Sequence, residues 1–242
     1  MNTDKKQALS VHLKAIRRML IVSVASVAVL FVLFFYLLCG PLVDFVLAPV
    51  RARGIEVITT SVSEALMMQF KVCLIAAVIA GMPVIIWQVW VFVAPALYPQ
   101  EKRLFAALFF VALLLFVGGV VFCYCLVFPM AIDLFWSAAD GVASTLWSVK
   151  EYFNFVLSFV LPFGLMFELP VVVYMLARRG LVTYQMLARS RKYVILVIAI
   201  IAAILTPPDA VSQCMLAIPM ILLYEVAAQL ARLVKPKKPA EA

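Results

Sequence analysis

The chain has 242 residues, is 67% hydrophobic and only 13% charged, and has a mean hydropathy of +1.14. Ordinary soluble domains are about 45–50% apolar, so the composition excludes a soluble core, and the net charge of +8, which in a soluble protein could suggest nucleic acid, matters here through its distribution along the loops. A polytopic membrane protein remains: at about 20 apolar residues per span, there is room for roughly six spans and no separate soluble domain.

Residues 1–18 form a basic tail with Lys5, Lys6, Lys14, Arg17 and Arg18. The apolar run 19–38 is too long for a signal peptide and no small-residue cleavage pattern follows it, so it reads as the first span. Residues 40–63 read as a polar connection containing Pro41, Pro49, Arg51 and Arg53. Ser61 with Glu64 three residues on predicts a capped helix start leading past Lys71 into the second span, 72–93, kinked at Pro83. The loop APALYPQEKR, 94–103, lies between interface aromatics Trp90 and Tyr98. The third span is 104–127, where Gly118 and Gly119 allow close helix contact. A loop over 129–151 leads to the fourth span, 152–177, and then to a basic loop, 178–192. The fifth run, 193–205, has 13 residues, about 20 Å of helix, against a hydrocarbon core of about 30 Å. Either the bilayer thins there or this run and the sixth, 211–230, form a re-entrant hairpin. A tail, 231–242, closes the chain.

Charge sets the orientation. With the amino terminus inside, inner segments hold 16 basic residues: five in 1–18, Lys102 and Arg103, five in 178–192, and Arg232, Lys235, Lys237 and Lys238. Outer segments hold 3, Arg51, Arg53 and Lys150. The asymmetry predicts six spans with both termini cytoplasmic, as one integral membrane domain. No internal repeat of the kind many secondary transporters carry is visible.

The fourth span carries a carboxylate, Glu168, followed by Leu169 and Pro170. A charge in hydrocarbon costs about 2.5–3.5 kcal/mol on insertion scales. Pro170 has no N–H and would clash with the Met166 carbonyl in an unbroken helix. The pattern predicts a bent helix with an intramembrane polar site at the bend; the plainer alternative is a neutral Glu168 bonded to a freed carbonyl. Glu101 is the only acidic residue on the inner loops between spans, and is either a partner for a cationic ligand or a solvated residue paired with Lys102 or Arg103.

Other chemistry is sparse. The five cysteines, Cys39, Cys73, Cys123, Cys125 and Cys214, lie in or beside apolar runs and read as small packing residues. The single histidine is His12, and no HExxH, P-loop or GxSxG pattern occurs. No catalytic residue, metal site or cofactor is therefore predicted, nor an enzyme. From the residues alone, a proton- or ion-coupled small-molecule transporter using Glu168 competes with a binding protein.

Four segments together carry a resemblance: His12-Leu13 with Ile16-Arg17-Arg18; Gln88 to Arg103; Phe163 to Pro170; and Arg191-Lys192-Tyr193 followed by Leu205 to Gln213, with Pro219 and Tyr224-Glu225 beyond. In this order across nearly the whole chain they resemble the TatC subunit of the twin-arginine translocase. The resemblance implies an all-α, cupped bundle of six transmembrane helices with the last two short. It also implies a receptor for twin-arginine signal peptides that exports folded proteins on the proton motive force. The partners it implies are single-span TatA- and TatB-type proteins, the signal peptides of folded cargo, the lipid bilayer and further copies in a multi-subunit receptor complex. No nucleic acid is implied. The location it implies is the bacterial inner (cytoplasmic) membrane; no transit peptide of a thylakoid relative is seen.

By the same resemblance Glu101 is the signal-binding glutamate, with Phe92, Leu97, Tyr98, Arg103 and Arg17 beside it, an assignment that suits the two-pronged pairing of guanidinium with carboxylate. Glu168 is the intramembrane polar residue, Thr206 and Gln213 dock partner helices, Pro49 is the proline of the first outer loop, and Asp209 bonds turn backbone. One departure stands out: Ala15 occupies a position that is usually acidic in the family, and Met19 one that is usually basic.

Overall fold

The computed structural model describes the backbone of residues 3–93, 102–139, 146–206 and 209–234, and the side chains of 13–91, 106–137, 146–206 and 209–234. The described chain is almost wholly helical. Among the described residues, five stretches are long and apolar enough to cross a membrane: Leu13–Leu37, Glu64–Val91, Ala106–Ser137, Val149–Arg178 and Ala210–Leu233. The chain divides into two compact units.

The first unit comprises residues 1–47 and 63–113. Its helices α1 (Thr3–Leu37) and α3 (Glu64–Val93) pack along each other. Phe35 and Phe31 stack on Phe70 with centroids 4.7 and 5.9 Å apart. Gly81 sits in the same seam, where a Cβ would lie 3.3 Å from Val27 Cγ2. Pro83 is accommodated inside an uninterrupted α3. α1 ends because Pro41 has no N–H to give the Leu37 carbonyl. The helical bonding resumes when Leu42 N–H donates to Leu38 at 3.0 Å, and α2 (Cys39–Arg51) follows.

The second unit comprises 48–62 and 114–242. β1 (Val57–Ile58) pairs in parallel with β2 (Trp147–Ser148). Beside them the Arg53 guanidinium donates twice to the Asp133 carboxylate, at 2.6 and 3.1 Å, and once to the Pro49 carbonyl at 3.0 Å. α4 (Lys102–Phe122) passes through a π-helical turn, Cys123–Val127, into α5 (Phe128–Ala139). α6 (Val149–Phe167) buries Tyr152, Phe153, Val156, Phe159 and Phe163 on one face, as the 3.6-residue period requires. α7 (Leu169–Arg178) packs on α9 (Ala210–Leu233) through Val173, Ala177, Ala227 and Ala231. Gly180, at φ +73°, turns the chain out of α7, a conformation that suits glycine. Thr183 then caps α8 (Tyr184–Leu205) by accepting from Met186 N–H at 3.3 Å.

Four local expectations are corrected. The basic loop expected over 178–192 is helical from Tyr184, because Thr183 caps α8 there, so the helix of the fifth run has 22 residues and not 13. The connection expected over 40–63 contains α2, because its prolines fall where a helix tolerates or ends on them. The loop expected over 129–151 opens with α5. α3 starts at Glu64 with Met67 N–H donating to the Ser63 carbonyl, so the helix start expected at Ser61 moves to Ser63.

Candidate functional site: the break at Glu168 and the turn between α8 and α9

The fourth apolar stretch is broken at one residue. α6 ends at Phe167 and α7 begins at Leu169, leaving Glu168 between them. Pro170 supplies the cause, since the Met166 carbonyl has no N–H four residues ahead. The backbone compensates locally: Glu168 N–H donates to Leu165 at 3.1 Å, and the Glu168 carbonyl accepts from Val171 and Val172, both at 3.1 Å.

The side chain is not compensated. Glu168 is half-buried, and among the described residues its Oε1 is buried with no hydrogen-bond partner. A freed-carbonyl bond at that oxygen, the plainer alternative, is thus not formed. An unpaired buried polar atom costs about 1–3 kcal/mol. The apolar flank is fixed by aromatic packing: Phe122 lies 5.6 Å from Phe167 and 5.8 Å from Phe163, centroid to centroid. Two glycines permit that approach. A Cβ on Gly119 would meet the Phe163 carbonyl oxygen at 2.9 Å and the Phe167 ring at 2.9 Å, and one on Gly164 would meet the Phe116 ring at 2.6 Å.

The second polar feature is the turn between α8 and α9. Thr206 is buried and its Oγ1 donates to the Ala202 carbonyl at 2.8 Å. Gln213 Nε2 reaches back from α9 to the Ala199 carbonyl at 3.0 Å. Asp209 caps α9, accepting from Ser212 N–H at 2.7 Å and from Ser212 Oγ at 2.5 Å. The structure thus gathers Thr206, Asp209 and Gln213 at one turn and puts Glu168 at a break in a different helix pair. Ser212, fully buried in this cluster, was not singled out from sequence; its place three residues after an Asp that opens a helix is the signal that could have found it.

At the other end of α8 and α9, Arg191 forms an ion pair with Glu225, and Tyr224 OH donates to the Leu187 carbonyl at 2.8 Å. Arg232 stacks over the Tyr184 ring at 5.8 Å. These contacts hold the basic ends of the two helices together.

Of the expected signal-peptide residues, Arg17 is exposed on α1. Leu97, Tyr98 and Glu101 lie outside the described residues, as do the side chains of Phe92 on α3 and Arg103 on α4. Pro49 sits inside α2 with its carbonyl bonded to Arg53.

Residues 11–219 match the family model of the Sec-independent protein translocase protein TatC. The chain belongs to the TatC family. It is similar to the Sec-independent protein translocase protein TatC of Carboxydothermus hydrogenoformans, 38% identical with 97% of each chain covered. The TatC protein of Haemophilus influenzae is 36% identical, with 98% of this chain and 93% of that protein covered. A crystal structure of a twin arginine translocase receptor, TatC, superposes with a TM-score of 0.86 at 36% identity, covering 92% of this chain and 98% of that one. This TatC-family chain is accordingly a multi-pass, all-α membrane protein and a component of a Sec-independent protein translocase.

Proposed function

We propose that the chain is the receptor subunit of its translocase, binding the consecutive arginines of a signal peptide and passing folded cargo across the bacterial inner membrane with TatA- and TatB-type partners and the proton motive force. The observation that carries this reading is the 36% identity over 92% of the chain to a structure described as a twin arginine translocase receptor. The basic inner segments support six spans with both termini cytoplasmic. Glu101 is the carboxylate in that setting for a guanidinium, with Arg17, Phe92, Leu97, Tyr98 and Arg103 around the peptide. Because Ala15 removes a second carboxylate, Glu101 bears more of the binding here, or a partner protein supplies the missing charge.

Glu168 offers its unpartnered oxygen to a polar group of the signal peptide or of a partner helix. Thr206 and Gln213 present a polar turn to a TatA- or TatB-type helix; hydrogen bonds of this kind between membrane helices contribute about 0.6–2 kcal/mol each. Pro49 and Asp209 set the geometry of their segments.

Binding of a labelled Arg-Arg signal peptide to the purified chain tests the receptor reading. Affinity should fall as salt rises, because exposed ion pairs are screened, and should be lost with a Lys-Lys peptide. Salt-independent binding would remove Glu101 from the account. Ion-coupled solute uptake by the chain alone in liposomes would favour a transporter instead.

A further inference from the structure

Where α7 stops, α8 starts and α9 ends, cations outnumber carboxylates. Arg178, Arg179, Arg189, Arg191, Lys192 and Arg232 lie there with one described carboxylate, Glu225; Asp209 is at the opposite end of α8 and α9. The three helix ends are packed together, with Leu187 of α8 and Val234, just past α9, resting on the cluster of Val173, Ala177, Ala227 and Ala231. Tyr184, Leu187 and Arg191 share one face of α8 by their spacing of three and four. That face meets α9: Arg232 lies over the Tyr184 ring at 5.8 Å, Tyr224 OH donates to the Leu187 carbonyl at 2.8 Å, and Glu225 pairs with Arg191.

Two guanidinium nitrogens at this corner lack an acceptor. Arg179 Nη2 and Arg191 Nε are buried and have no hydrogen-bond partner among the described residues. The α7 carbonyls nearest Arg179 are already used, Gly180 N–H donating to Ala177 at 2.9 Å and Leu181 N–H to Leu176 at 3.0 Å. A buried charged donor without an acceptor is costly. The corner is still reachable, since Arg232 is exposed and the Arg191 side chain is 39% exposed. From the same end an exposed stripe runs along α8: Lys192, Leu196, Ile200 and Ile204, one helical face at a spacing of four. It is about 18 Å long, with a cation at its head and only apolar side chains below.

We infer that this corner is a headgroup site for an anionic phospholipid. Its phosphodiester oxygens accept from Arg179, Arg191 and Arg232 add charge and donors, and an acyl chain lies along the α8 stripe below Lys192. Phosphate oxygens match the fork of a guanidinium, and basic pockets between membrane helices suit anionic headgroups. A zwitterionic headgroup brings its own ammonium into the field of these cations and is disfavoured. A free phosphate would satisfy the guanidinium groups and leave the apolar stripe unused, which is why the lipid is the occupant. The inference rests on the chain being a membrane protein, not on the receptor reading.

The test uses the full chain, stripped of lipid in detergent and titrated with phosphatidylglycerol, phosphatidylcholine or glycerol 3-phosphate, with bound molecules counted by native mass spectrometry. No signal peptide is present, so the outcome is independent of the receptor reading. Phosphatidylglycerol should be retained more tightly than phosphatidylcholine and should not be displaced by excess glycerol 3-phosphate. Arg179→Gln and Arg232→Gln should each weaken its retention about fivefold. Lys150→Gln, the same charge change at the start of α6, should leave it unchanged. Size-exclusion profiles check that the variants fold, and exposed Arg232→Gln carries the test if Arg179→Gln does not. Equal retention of the two lipids, unchanged retention in Arg232→Gln, an equal loss in Lys150→Gln, or displacement by glycerol 3-phosphate overturns the proposal.

Discussion

Gly119 and Phe167 are in such close contact that no side chain fits between them: a Cβ on Gly119 would lie 2.9 Å from the Phe167 ring. Phe167 is the last residue of α6, and Glu168 follows it. The fit of a glycine against an aromatic ring therefore packs α4 tightly against the end of α6, beside the break that Pro170 causes.

Gly119→Ala forces the Phe167 ring or the Phe163 carbonyl to move. Overpacking of this kind costs about 1–3 kcal/mol, so the midpoint of thermal unfolding in detergent should fall. Gly164→Ala, facing Phe116, should act the same way. Gly118→Ala is the control, because nothing lies within 4 Å of its Cβ position. Equal midpoints for Gly118→Ala and Gly119→Ala would contradict the packing account.

Asp209→Ala removes the cap of α9 and leaves Ser212 N–H and Oγ without their acceptor. A lost cap costs about 0.5–2 kcal/mol. Asp209→Asn, which can still accept from Ser212 N–H, should recover most of it. Chemical denaturation of the three chains side by side reads the difference, and a loss undiminished in Asp209→Asn would assign Asp209 to something other than capping.

Tyr224→Phe deletes only the bond to the Leu187 carbonyl. A net loss of about 0.5–1.5 kcal/mol is expected, read as faster hydrogen exchange where α8 begins. Exchange unchanged at 184–191 would show that the bond does not hold that end of α8.

The Arg53–Asp133 pair is two-pronged yet largely exposed on its Asp133 side. Pairs of that kind contribute little and are screened by salt. Arg53→Gln should lower the unfolding midpoint slightly at low salt, and the difference from wild type should vanish at high salt. A large, salt-independent drop would instead point to the bond with the Pro49 carbonyl.

Much of this was legible in the sequence for stated physical reasons. Long apolar runs define helices, and Pro170 after Glu168 marks the break because a missing N–H has the same consequence wherever it occurs in a helix. Gly118-Gly119 pointed to close contact, but which of the two is in contact depends on the rotation of α4, fixed only by packing against α6. α2 and α5 are hidden in the sequence because Pro41, Pro49 and Pro129 look like loop punctuation, yet Pro41 falls in a first helical turn, where a proline is tolerated, and Pro129 follows directly on the π-helical turn Cys123–Val127. The parallel pairing of Val57 with Trp147 joins two-residue strands far apart in the chain and leaves no periodic trace. The π-helical turn at Cys123–Val127 likewise has no sequence period to betray it.

On the proposed function, Glu101 and Glu168 serve a twin-arginine receptor. The most direct measurement is export of a folded reporter bearing a twin-arginine signal, in cells whose only TatC-family protein is this chain. Wild type, Glu101→Ala, Glu168→Ala and Glu168→Gln are compared at equal membrane levels, together with cross-linking of the signal peptide. The expected result is export by wild type, loss of both export and cross-linking in Glu101→Ala, and reduced export with cross-linking retained in Glu168→Ala, partly restored in Glu168→Gln. Normal export by Glu101→Ala at wild-type membrane levels would contradict it.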